Sequence, residues 1–171
     1  MRYLLFTVAF LAPAPAFAAT GDIGCIEAKL GAAAMQRIGD GVVAAADNGF
    51  DPARALDPDR DELIDARQKC RNAGNWSPNA TQIAVSYTQA RATRLGAESA
   101  LKRDGLDATK LAASYAALPV QDRRSLIAKA SPGALNAVTI AAAQLQGRRH
   151  VLLYFAALAA IEFYPSDFTA A

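Results

Sequence analysis

One histidine, His150, and two cysteines, Cys25 and Cys70, are all that the 171 residues offer as soft or imidazole ligands. A closed zinc site draws several His and Cys ligands, so zinc is poorly supplied. The distance between the cysteines excludes a Cys-x-x-Cys redox pair. No long run of one charge occurs: 18 basic and 16 acidic residues leave a net charge of +2. That balance gives no basis for a nucleic-acid partner. A glycine-rich phosphate loop is missing too, since Gly39-Asp40-Gly41 has no Lys-Ser/Thr after it. Strand-forming residues are sparse and Gly-rich turns are few, which argues against an all-β fold.

Alanine is what the chain has in excess, with 41 residues. It buries little area but is the best helix former. The pattern predicts an all-α, single-domain bundle of six or seven helices.

The first nineteen residues have the character of an address. Met1-Arg2-Tyr3 is positively charged, Leu4 to Ala12 is an apolar run, and Ala16-Phe17-Ala18 supplies a small-x-small cleavage site. The reading is a bacterial-style secretory signal peptide over 1–19, followed by a helical domain over 20–171. The apolar run is far short of the roughly 20 residues that span a bilayer. The expectation is therefore no transmembrane anchor after cleavage, and a periplasmic or secreted location. An oxidising compartment makes Cys25 and Cys70 a disulfide rather than two buried thiols.

Apolar spacing predicts a first helix over about 23–47, begun by Asp22 and weakened at Gly39 and Gly41. Asp57-Pro58 reads as the start of a second helix that Gly74 closes. Cys25 then lies near the start of one helix and Cys70 near the end of the next, which are neighbours in an antiparallel hairpin. Ser77-Pro78 opens a long helix to about residue 103, and Asp107 caps a short one over 108–117. Further helices are expected over 119–130 and 132–146, with Asp122-Arg123-Arg124 solvated. Gly147-Arg148-Arg149-His150 reads as an interruption. The last helix is expected over 151–164, ended by Pro165, with a loose tail from Ser166.

Four groups of residues raise chemical questions. Asp57, Asp59, Asp61 and Asp65 match positions 1, 3, 5 and 9 of an EF-hand calcium loop, with Ile64 at position 8. Glu62 stands where the loop needs glycine, and Gln68 where it needs a bidentate glutamate. An acidic, proline-led helix start accounts for the same residues without calcium or any other cofactor. Arg148, Arg149 and His150 are a candidate contact for an anion or a partner. As a general base, His150 lacks an evident orienting carboxylate, with Glu162 twelve residues on. Ser125 and Ser131 lack the glycine context of a nucleophile elbow. Glu27, Glu62, Glu98 and Glu162 are scattered, and a glycosidase-like pair would have to converge to about 5–10 Å. Trp76 reads as a core residue at a helix junction.

Val151 to Ile161 is apolar on every side, as in a central core helix. The alternative is a partner- or membrane-docking hairpin formed with the preceding helix. Eleven residues are too few to cross a bilayer, and residues 146–150 are expected to keep the two segments apart. These features favour a non-catalytic binding or interaction module that engages another envelope protein through its C-terminal apolar helices. The alternatives are a small envelope enzyme working through paired carboxylates and a degenerate EF-hand-like calcium binder.

Overall fold

The computed structural model describes residues 19–49, 59–128, 131–141 and 145–171, with the backbone alone at 132, 145 and 146. Residues 1–18 and 50–58 lie outside it, so the signal segment and Asp57-Pro58 receive no structural account. All seven elements among the described residues are α-helices: α1 (Cys25–Asp47), α2 (Arg60–Gly74), α3 (Pro78–Arg103), α4 (Ala108–Ala116), α5 (Val120–Ala128), α6 (Pro132–Ala141) and α7 (Leu145–Thr169).

Several helix ends follow from side chains beside them. Ser77 Oγ accepts from the Ala80 amide at 3.0 Å, with Pro78 as the first helical residue of α3. Asp107 accepts from the Thr109 and Lys110 amides at 2.8 and 3.3 Å. Ser131 does the same for Ala134 at the start of α6. Asp22 accepts from the Gly24 amide at 2.8 Å, and the helix proper begins at Cys25.

Three expectations are corrected. The break in α1 falls at Gly31 (φ 75, ψ 170), not at Gly39 or Gly41. Gly39 instead lies against Gly96 of α3, where a Cβ on either would collide with the other helix's backbone. The second correction concerns residues 147–150, which are not an interruption but the first turns of α7. They are drawn into the helix by contacts with the ends of α1 and α3, described below. The third is the C-terminus. Pro165 lies inside α7, which runs on to Thr169. Proline removes one backbone donor, but Phe168 beyond it is 2% exposed and meets Trp76 edge-to-face at 5.1 Å. Ser77 Oγ also donates to the Ala171 carbonyl at 3.1 Å. The tail is docked, not loose.

The central helix is α3, not the apolar segment of α7. It packs most extensively against α1 and α7. Ala80, Ala84, Ala92, Ala97 and Ala100 are all fully buried, and their small side chains let neighbours approach from several directions. One core joins the second half of α3 to α4–α7 around Leu101, Leu111, Val138, Val151, Tyr154 and Phe155. Another joins α1, α2, the first half of α3 and Phe168 around Ile26, Leu63, Trp76 and Val85. A small cluster of Met35, Ile38 and Ala92 lies between α1 and α3.

Helices α1 and α2 run antiparallel and are fastened twice. Cys25 and Cys70 form the expected disulfide, with Cα atoms 5.9 Å apart. Toward the other end, Arg37 donates from Nε and Nη2 to Asp59 Oδ1 at 3.0 and 2.6 Å. The contacts of α2 with α3 are fewer than those with α1, and Leu63, Ala66 and Cys70 share a core with Trp76 and Phe168.

Candidate functional site

At one end of the bundle α1 and α3 finish and α7 begins. His150 stands at that junction, 7% exposed. Its Nδ1 lies 2.6 Å from Asp104 Oδ2, and its Nε2 lies 3.0 Å from Asp47 Oδ1. Arg149 adds a hydrogen bond to the Asp47 carbonyl at 3.1 Å and lies 3.8 Å from its carboxylate. Arg148 is exposed. Just before them, Gly147 leaves room for the Leu106 side chain, which would lie 2.8 Å from a Cβ at that position.

His150, expected in an interruption between helices, is on the contrary part of α7. It is a buried joint among three helices, and both of its nitrogens are engaged, so neither is available as a base or a ligand in this geometry. The three neighbouring residues divide into a buried anchor (His150), a second tether (Arg149) and an exposed cation (Arg148). Asp47 and Asp104 escaped the sequence reading because they lie 103 and 46 positions away from His150.

Of the four aspartates of the calcium pattern, Asp57 lies outside the described residues. Asp59 is 5% exposed and held by Arg37. Asp61 and Asp65 are on helical backbone in α2, and Asp65 pairs with Lys69 at 2.7 Å. Among the described residues no three His, Cys, Asp or Glu side chains group as metal ligands would.

Each scattered glutamate faces an arginine. Glu27 receives Arg91 in a two-pronged pair at 2.9 and 3.0 Å, tying α1 to α3. Glu62 lies 3.6 Å from Arg37, and Glu98 lies 2.7 Å from Arg94. Glu162 accepts from Tyr115 Oη at 2.6 Å and from Arg123 at 2.9 Å. No two of these four share a partner, and their pairings differ in the elements they join.

The Asp122-Arg123-Arg124 stretch is not simply solvated, as expected from sequence. Arg123 is 18% exposed at its side chain, lies over the Tyr115 ring and donates to the Ala116 and Leu118 carbonyls at the end of α4. Its buried Nε finds no acceptor among the described residues. Arg124 pairs with Asp167 at 2.8 Å and lies over Phe163. Burial, and then the Glu162 carboxylate, push the Tyr115 hydroxyl far above the usual tyrosine range.

The C-terminal helices carry the remaining feature. From Ala130 to Gly147 the chain has no charged residue. On α6, Ala134 and Val138 face the core, while Leu135 is 37% exposed and Ile140 is 76% exposed. On α7, Leu152, Leu153, Leu158 and Phe163 border the same core and are half-buried. Because α7 is continuous, Gly147–Thr169 is long and apolar enough to cross a membrane, with an 18-residue window of mean hydropathy 1.3 of which 39% is buried. Val151 to Ile161 is thus part of a helix longer than its eleven apolar residues suggested. Within it Val151, Phe155 and Ala159 are fully buried in the core that α7 shares with α3. No protein-family model, curated protein or solved structure matches the chain.

Proposed function

We propose that this chain is an exported, non-catalytic binding module of the cell envelope, and that α6 with the outer side of α7 receives another envelope protein. The observation that carries the reading is the exposure of Ile140, 76%, on a helix without a charged residue. An uncharged surface that leaves both Leu135 and Ile140 in water is of the kind a protein interface covers. The Cys25–Cys70 disulfide supports an oxidising compartment, as does the signal-like start of the sequence.

Site-specific photocrosslinking tests the reading in the cells that make the protein. A photoreactive residue in place of Ile140 is expected to give one discrete adduct with a second protein. The same residue in place of Ala44, which is exposed on α1, gives none. The double variant Leu135→Asp/Ile140→Asp, with a crosslinker at Ala137, loses the adduct while its unfolding temperature is unchanged. Absence of an adduct from Ile140, or an adduct only with a second copy of the chain, overturns the proposal.

A further inference from the structure

Between the two fasteners of α1 and α2 lies a cleft of about 340 Å³, lined by Lys29, Leu30, Glu62, Asp65, Ala66 and Lys69. The Cys25–Cys70 disulfide closes the hairpin on one side of it, and the Arg37–Asp59 pair closes it on the other. Gly31, next to Leu30, breaks α1 within this interval. Its backbone conformation (φ 75, ψ 170) belongs to a region that is essentially glycine-only. Nothing lies within 4 Å of a Cβ built there, so no packing neighbour requires the glycine. The residue serves the change of course in α1, and that change falls beside the cleft.

The charges lining the cleft are two ammonium groups and two carboxylates. Asp65 and Lys69 neutralise each other at 2.7 Å. Arg37 spends its short contacts on Asp59 and reaches Glu62 only at 3.6 Å, leaving that carboxylate 63% exposed. Lys29 has no ion-pair partner among the described residues. Among the described residues the cleft therefore offers an unpaired cation from α1, Lys29, and a lightly held anion from α2, Glu62. Leu30 and Ala66 give the same cleft its aliphatic lining.

We propose that this cleft binds a small zwitterion of the free amino-acid or dipeptide class. The ligand carboxylate is received by Lys29, its ammonium by Glu62, and its short aliphatic body by Leu30 and Ala66. The volume is at the low end of the roughly 300–1,000 Å³ of ligand sites, which suits one or two residues. A phosphate or other anion would meet Glu62 and Asp65 as well as Lys29, so a lining of balanced charge disfavours it. A pocket whose walls are cross-linked on both sides is also pre-organised, which limits the ordering cost of binding.

The test is an amide-resolved NMR titration of the oxidised protein with L-alanyl-L-alanine, alongside the same dipeptide acetylated at its N-terminus and amidated at its C-terminus. The expected result is saturable shifts confined to residues 29–32 and 62–69, with a dissociation constant on the order of 1 mM. The blocked dipeptide is expected to bind at least tenfold more weakly. K29Q and E62Q, both surface changes that leave the fold intact, are each expected to weaken the zwitterion at least fivefold. No saturable shift up to roughly 50 mM overturns the proposal. So does equal binding of the blocked dipeptide, or indifference to both variants. None of these outcomes bears on the surface of α6 and α7.

Discussion

A Cβ at Gly39 would collide with the Ala92 carbonyl oxygen, and one at Gly96 with the carbonyl of Gly39. Both obstacles are backbone, which cannot swing aside. Gly39→Ala is therefore expected to cost about 2–3 kcal/mol through overpacking and to separate α1 from α3. Gly31→Ala meets open space and is expected to cost about 1–3 kcal/mol through backbone strain alone. Chemical unfolding of the two variants measures the costs. Loss of NMR contacts between α1 and α3 in the first, and their retention in the second, separates the mechanisms. Tyr115 makes a different kind of prediction. Its hydroxyl is raised above the ordinary tyrosine range of about 10 by burial and by Glu162. The folded state thus favours the protonated form. Its contribution is complete below about pH 10 and is lost as the pH rises through the higher folded value. Tyr115→Phe is expected to lose about 1–2 kcal/mol at neutral pH and to flatten the alkaline fall in stability. An unchanged alkaline slope in unfolding curves from pH 8 to about 11 would count against the assignment.

Helix boundaries divide into those a neighbouring side chain decides and those that packing decides. Ser77, Asp107 and Ser131 bond amides two or three residues ahead, so the starts of α3, α4 and α6 were readable from the chain. The course of α7 was not. Glycine and histidine, and later a proline, are weak or breaking helix signals. They are overruled by His150 in its carboxylate joint and by Phe168 against Trp76. Phe168→Ala is accordingly expected to cost about 3–5 kcal/mol. Because Trp76 is the sole tryptophan, the change is expected to red-shift the protein's fluorescence and fray α7 beyond Pro165. Wild-type emission and unaltered stability would refute the docking of the tail.

The described helices form a bundle in which α3 runs through two principal cores, its first half in one and its second half in the other. The disulfide belongs to only one of them. It encloses a stretch with a sequence separation of 45 residues. Opening a loop of that size is expected to cost roughly 3–4 kcal/mol in the chain-entropy model. Reduction should therefore lower the unfolding temperature, and hydrogen exchange should rise first in α1 and α2 and last around Phe155. Uniform exchange across both cores after reduction would show that they unfold as one unit. Elsewhere, long-range ion pairs connect the layers: Arg91–Glu27 joins α3 to α1, and Arg123–Glu162 joins α5 to α7. Both are partly exposed, so they orient the helices more than they stabilise them.

Composition and local pattern were enough for the all-α class, for most helix starts and for the disulfide between the first two helices. These rest on propensity, on capping bonds spanning two or three residues, and on two cysteines placed at matching ends of an antiparallel pair. Arg148, Arg149 and His150 could be singled out from the chain, but not their roles, because the partners Asp47 and Asp104 come from the ends of two other helices. The aspartates from 57 to 65 looked alike in sequence. Burial against Arg37 distinguishes Asp59, and helical backbone places Asp61 and Asp65 on α2. The choice of α3 as the central helix was likewise tertiary. Hydrophobicity favoured Val151 to Ile161, but several layers can close around one helix only where side chains are small, and that condition is met by the alanines of α3.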